Sequence, residues 1–205
     1  MSIRTETLKK QHYHSASKLL AHAFYDNPAH EFICPNAHKR LDQLKWLLGA
    51  NLNLQMKNGA ESFSLIDGQK VVGMGYWTNP NNHINLFEKI KVGLLKAPLK
   101  LGMKSFLKMM TVSSHIENAI INLNLNQPHW YLNNMVVDKD LRGQGLGSKI
   151  LDQEIQKIKA KQPHAVFSLT TQKDENVDFY KKHGFDVVLE ENIENNFQNW
   201  IMCRA

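Results

Sequence analysis

The stretch VVDKDLRGQGLGSKIL, residues 136–151, decides the fold. It runs from an apolar pair through a charged loop into three glycines and an apolar helix. Glycine permits positive φ and close approach of backbone to a ligand. A helix N-terminus offers unbonded amides and the positive end of its dipole. The stretch therefore reads as an anion-binding loop, and three kinds of phosphate loop compete for it. A P-loop, G-x-x-x-x-G-K-[ST], needs lysine and then a hydroxyl after its last glycine. Here Gly147 is followed by Ser148 and Lys149, the reverse order. A dinucleotide-binding turn, G-x-G-x-x-G, follows its strand directly. Here the five residues DKDLR separate Val137 from Gly143, and Ser148 stands where the third glycine belongs. The third reading is R-x-x-G-x-G over Arg142, Gly145 and Gly147, a loop that turns its N–H groups inward and hands over to a helix. The preceding strand could then pair free backbone groups with an amide-bearing tail leading away from the phosphate. A pantetheine–pyrophosphate ligand has that shape.

Elements read outward from this stretch give an α/β chain with a mixed sheet and one core. WYLNNMVV (130–137) is a strand, 146–161 a helix, and AVFSLTT (165–171) a second strand. In the helix Leu146, Ile150, Leu151, Ile155 and Ile158 form an apolar face at 3–4 spacing. Strand, crossover helix and strand make a right-handed parallel βαβ unit. ENVDFYKKHG (175–184) is a short helix closed by Gly184, and FDVVLEE and NFQNWIMCR are two final strands, read as antiparallel. Upstream, YHSASKLLAHAFYDNPA is a helix that Asn27-Pro28 closes, because a residue before proline leaves the helical region. HKRLDQLKWLLGANLNLQMKNG is a second helix, ended at Asn58-Gly59. Asp67-Gly68 marks a hairpin between strands near 61–66 and 70–77. Residues 80–127 read as two or three short helices broken at Pro98 and Gly102. On them Lys100, Lys104 and Lys108 form one stripe, read as a solvated face with a phosphate or acidic-partner contact as the alternative, and Met103, Met109 and Met110 belong to the core.

Composition narrows the class. The chain has 205 residues, 42% hydrophobic, with 25 Lys and Arg against 19 Asp and Glu. A formal charge of +6 admits nucleic acid, membrane or an anionic cofactor as partner, or simple solubility. No nucleic-acid recognition motif is present. No apolar run reaches the roughly 18 residues of a membrane span, and no signal-peptide pattern opens the chain. The two cysteines, Cys34 and Cys203, define neither a disulfide scaffold nor a metal site. The ten histidines show no metal-ligand spacing, so no metal is expected. These features point to a cytosolic protein with neither a nucleic-acid nor a membrane partner, and a homodimer is compatible with them.

At these residues the sequence resembles the GNAT superfamily of acyl-CoA-dependent N-acetyltransferases. YLNNMVVDKDLRGQGLGSKILDQEI looks like the family's strand, loop and helix for acetyl-CoA, and TTQKDENVDFYKKHGF (170–185) like its following N-x-x-x-Y…G-F segment. SASKLLAHAFYDNPA and HWYL are similar to a branch of antibiotic and small-molecule acetyltransferases that includes puromycin acetyltransferase. The resemblance implies a GNAT-like fold. This is a mixed, mostly antiparallel sheet of about six to seven strands with a parallel βαβ at its centre and helices on its flanks. It implies one domain over 1–205 with a helical insertion at about 80–127.

It also implies site residues. Met135, Val136 and Val137 would pair with pantetheine, and Arg142, Gly143, Gln144, Gly145, Leu146, Gly147 and Ser148 would hold the pyrophosphate. Asn176 and Tyr180 would lie near the thioester. Acetyl transfer needs a deprotonated amine, donors for the oxyanion and a proton for the leaving thiolate. Tyr180 suits the last role, since a phenol is protonated at neutral pH. Many family members carry a glutamate early in the central strand. Here Tyr131, Asn133 and Asn134 stand there, none a base at neutral pH. His129 is the candidate base, with Glu117, Glu61 or a water chain as alternatives. Phe24, Tyr25, Asp26, Tyr76, Trp77 and Trp200 are candidates to line the acceptor site. The expected activity is acetyl transfer from acetyl-CoA to a small-molecule amine by direct transfer in a ternary complex. A protein N-terminus or lysine is the rival acceptor, and a non-catalytic acyl-CoA-binding module the rival class.

Overall fold

The computed structural model describes residues 3–79, 93–123 and 129–205. Seven strands form one sheet: β1 (Arg4–Glu6), β2 (Glu61–Asp67), β3 (Lys70–Thr78), β4 (His129–Val137), β5 (Val166–Thr171), β6 (Asp186–Ile193) and β7 (Phe197–Arg204). Their order is β1-β2-β3-β4-β5-β7-β6. Every neighbour pair is antiparallel except β4 and β5, which run parallel. The described helices are α1 (Tyr13–Ala23), α2 (Pro28–Ile33), α3 (Ala37–Lys57), α4 (Ala97–Leu101), α5 (Met103–Asn122), α6 (Leu146–Lys161) and α7 (Asp174–Lys182). The mixed, mostly antiparallel sheet with a central parallel pair is the one expected. β1, only three residues long, is an addition that no local pattern announced.

The sheet is covered on both faces. α1 to α5 pack on one side with Leu20, Leu44, Leu52, Met74 and Tyr76 at zero exposure. α6 and α7 cover the other, where Leu151 and Ile155 meet Trp77, Trp130, Phe167 and Leu169. Burial on both faces explains why β3, KVVGMGYWT, reads as a continuous apolar run. Gly75 is needed there for space. A Cβ on it would lie 2.4 Å from the Phe63 ring.

The decisive irregularity is in β4. Tyr76 pairs with Asn134 but Trp77 pairs with Leu132, so Asn133 is an extra residue in the β4 ladder. A bulge bends a strand and stops pairing. Here the parallel ladder with β5 runs from His129↔Val166 to Leu132↔Leu169 and goes no further. Beyond the bulge β4 leaves its neighbour, and a cleft opens between the two strands.

Four local expectations are corrected. Asn27-Pro28 does not close α1, which ends at Ala23, but starts α2. The Asn27 side chain accepts from the Ala29 and His30 amides, with Pro28 in the first turn. Pro98 likewise starts α4 rather than breaking a helix, and after Gly102 a single 20-residue helix follows. Met103 and Met110 are 58% and 47% exposed, while Met109 packs against the core. The lysine stripe is also divided. Lys100 is on α4 and Lys104 on α5, both exposed, whereas Lys108 turns inward, donating to the Phe32 carbonyl (3.1 Å) over its ring (4.1 Å). The parts of the expected insertion at 80–92 and 124–127 lie outside the described residues.

Candidate active site

The cleft beside β4 holds a cavity of about 710 Å³. One end is the glycine loop. Gly143 (φ 77°) and Gly145 (φ 72°) are left-handed, and a Cβ on either would meet open space. Their role is therefore conformational, and the loop is open on the side a ligand would approach. Gly145 caps α6 without a side-chain bond, and no acid occupies the first turn. The amides of Leu146, Gly147 and Ser148 precede the first helical bond, Lys149 N–H to Gly145 O (3.0 Å), and keep the dipole uncompensated. Among the described residues Arg142 and Lys173 line the same cavity against a single acid, Glu175, so the local field favours an anion.

Of the expected loop residues, Arg142, Gly143, Gly145, Leu146, Gly147 and Ser148 line this cavity, as do Met135, Val136 and Val137. Gln144 is exposed and does not. The Arg142 side chain folds back to donate to the Val137 carbonyl (3.2 Å), joining loop to strand. Ser148 Oγ meets His183 Nε2 at 3.0 Å, and His183 Nδ1 meets Asp152 Oδ1 at 3.0 Å. With the Asp152 carboxylate as acceptor, Nδ1 carries a proton and Nε2 holds the Ser148 hydroxyl in place.

At the other end stand Asn176 and Tyr180, from α7. Asn176 donates to Thr171 Oγ1 (3.0 Å). Burial pushes the Tyr180 phenol well above the ordinary tyrosine range, so it is a proton donor at any neutral pH. Its ring is fixed edge-on by Phe179 and Phe185, with centroids at 5.2 and 5.7 Å.

A second cavity, about 260 Å³, opens between the β4–β5 cleft and helices α2, α3 and α5. The two share Phe24, Asn27, Met135, Asn176 and Tyr180. The second is lined by neutral polar groups, among them His30, Asn51, Tyr131, Asn133, Asn134 and Gln172. Among the described residues no carboxylate lines it.

Of the aromatic candidates, Phe24 lines both cavities. The other aromatic candidates lie elsewhere. Tyr76 is fully buried behind the wall, its hydroxyl accepting from Asn51 (3.1 Å) and Asn134 (2.6 Å). Trp77 points to the opposite face against Phe167. Tyr25 bonds the Ala37 carbonyl (3.1 Å), and Trp200 packs into the α6–α7 core. Asp26 is an exposed partner of Lys173 (3.1 Å). His129 sits at the start of β4, paired with Val166 at the closed end of the ladder, and lines neither cavity. Glu61 is held by Lys157 and Lys161, and Glu117 is exposed on α5.

Sequence reasoning missed Asn27 and His30. The signal was present: Asn-Pro-x-His puts an N-cap and a histidine on one helical turn. Asn27 Oδ1 accepts from the Ala29 amide (3.1 Å), the His30 amide (3.3 Å) and His30 Nδ1 (3.0 Å), while Asn27 Nδ2 reaches Gln172 (3.1 Å).

Comparison with known proteins agrees with this geometry. Residues 104–202 match the family model described as the acetyltransferase (GNAT) domain. Arylalkylamine N-acetyltransferase 2 from Aedes aegypti is similar in structure, with a TM-score of 0.68 at 17% identity, over 100% of this chain and 99% of that one. The ribosomal-protein-S18-alanine N-acetyltransferase from Escherichia coli aligns with a TM-score of 0.57 at 15% identity, over 99% and 93%. The PaiA N-acetyltransferase from Thermoplasma acidophilum, solved in complex with coenzyme A, gives 0.57 at 13% identity, over 100% and 99%. At these identities the likeness is one of fold.

Proposed function

We propose that this chain, of which residues 104–202 match the acetyltransferase (GNAT) domain model, moves an acetyl group from acetyl-CoA to the primary amine of a small molecule by direct transfer in a ternary complex. The observation that carries the reading is the meeting of two cavities at Tyr180, one ending in an anion-binding loop and the other in a compact polar chamber. The residues present suit acetyl-CoA. The open glycines and free α6 amides would take the pyrophosphate, and the β4 edge freed beyond Leu132 would take the pantetheine amides. Bound acetyl-CoA supplies the acyl thioester. The chain's own contributions are orientation, exclusion of water and a proton. Ser148, held by His183 and Asp152, orients the pyrophosphate end. Met135 and its neighbours fix the thioester end, and Tyr180 holds the proton the departing sulfur needs.

A chamber of about 260 Å³ suits a compact amine better than a polypeptide segment, which supports the small-molecule acceptor over a protein one. The family's antibiotic branch is a source of such acceptors. Both cysteines are free, and burial pushes both thiols up to about 11, so neither is primed to carry the acetyl group. In this reading residues 1–205 form one domain, 80–127 are its insertion, and the enzyme works in the cytosol, alone or as a homodimer. Among the described residues no helix is long and apolar enough to cross a membrane, and no cluster of candidate ligands would hold a metal. One observation favours a non-catalytic acyl-CoA-binding module instead: the absence of a lining carboxylate among the described residues. Thiol release from acetyl-CoA across a broad amine panel, run beside acetyl-CoA calorimetry, separates the two. The proposal expects both signals. Tight binding with no turnover on any amine favours the module, and no binding defeats both.

A further inference from the structure

We propose that His30 takes the proton from the acceptor amine, an assignment that rests on the acetyl-transfer reading. Among the described residues no carboxylate lines the chamber, yet one imidazole is built into its wall. His30 touches two of the five residues shared by the cavities: its ring lies 5.2 Å from that of Phe24, and its Nδ1 is 3.0 Å from Asn27 Oδ1. It is therefore one contact from the place where the two substrates meet.

The tautomer follows from the cap. Asn27 Oδ1 already accepts two backbone N–H groups, which identifies that atom as the amide oxygen. An oxygen can only accept, so Nδ1 carries the imidazole proton and Nε2 keeps its lone pair. Among the described residues nothing hydrogen-bonds Nε2. Among the described residues the other titratable groups lining the chamber are the phenols of Tyr131 and Tyr180, and burial raises both, so neither is a base. The nearest charges on α2 and α3 cancel: Glu31 is bound by Arg40. Burial also lowers the His30 imidazole to about 4, which keeps it neutral throughout the physiological range.

The step balances. As the C–N bond forms and the C–S bond breaks, the nitrogen gives one proton to His30 Nε2 and the sulfur takes one from the Tyr180 hydroxyl. The imidazolium and phenolate then restore themselves through solvent. A base this weak cannot deprotonate an ammonium ion in advance. It accepts the proton only once bond formation has made the nitrogen acidic, so the amine must enter neutral.

The test uses His30→Gln and His30→Ala with acetyl-CoA and an amine accepted by the wild-type chain. Both variants should bind acetyl-CoA within about twofold of wild type by calorimetry and turn over about 100-fold more slowly. Free imidazole should restore turnover to His30→Ala, which leaves it room, and not to His30→Gln. Turnover within about threefold of wild type in either variant, or a slow His30→Ala that imidazole does not restore, overturns the assignment. So does loss of acetyl-CoA binding in both variants, which would make the residue structural. A wild-type chain that turns over no amine fails one level earlier, at acetyl transfer itself, and takes this assignment with it.

Discussion

The two cavities that meet at Tyr180 are built by different means. The larger is made of backbone: glycines in the left-handed region, the first amides of α6 and the edge of β4 beyond its bulge. One contiguous stretch, 135–148, supplies ten of its eighteen lining residues. The smaller is made of side chains from α2, α3, α5 and α7 and from β4 and β5, far apart in sequence. A backbone site depends on conformation and tolerates changes in side chain. A side-chain site depends on every contributor and on the charge state of each. The two halves should therefore fail in different ways.

The largest difference is expected in acid. The folded His30 titrates at about 4 against an ordinary 6.5, so the unfolded chain binds its proton first. Stability from this residue is complete above pH 6.5 and is lost as pH falls toward 4, up to about 3 kcal/mol. Urea unfolding at pH 7 and pH 4.5 should show a smaller loss for His30→Gln than for wild type. Equal losses in the two would detach acid sensitivity from the smaller cavity.

Next comes Tyr180→Phe, at the junction. The turnover number should fall about 100-fold while acetyl-CoA affinity stays nearly unchanged, since only the proton donor is removed. A fall in affinity instead would make the ring a wall rather than a donor. Gly145→Ala strikes the backbone half alone. Forcing an L-residue into the left-handed region costs about 1–2 kcal/mol, so acetyl-CoA should bind about tenfold more weakly. The KM for the amine should hold steady. The smallest effect belongs to His183→Ala, which frees the Ser148 hydroxyl. Loss of one oriented hydrogen bond, about 1 kcal/mol, predicts acetyl-CoA affinity about fivefold weaker by calorimetry.

The same contrast explains what could be read from the amino-acid sequence. The βαβ unit, the Asp67-Gly68 hairpin, α7 with its Gly184 end and the last hairpin all follow from local signals, and all occur within a residue or two of where those signals put them. The loop residues of the larger cavity were legible for that reason. The bulge at Asn133 was not, because it is a mismatch between two strands far apart in the chain. Asn27-Pro28 was ambiguous in principle: proline ends one helix and begins another with the same chemistry. Tyr76 and Trp77 looked like acceptor contacts because they are large aromatics near a strand end. Their strand is central and buried on both faces, so each went into a core instead. His129 was chosen for its place beside β4. The β4–β5 pairing puts it at the closed end of the cleft, while His30 reaches the chamber from α2.

The central claim is that both substrates occupy the protein together, each in its own cavity, with Tyr180 between them. Initial rates measured over a grid of acetyl-CoA and amine concentrations test it most directly. Direct transfer predicts double-reciprocal lines that intersect, and no acetylated protein by mass spectrometry when acetyl-CoA is supplied without amine. Parallel lines together with a stable acetyl-protein would mean that the acetyl group first passes to the chain, and would contradict the account.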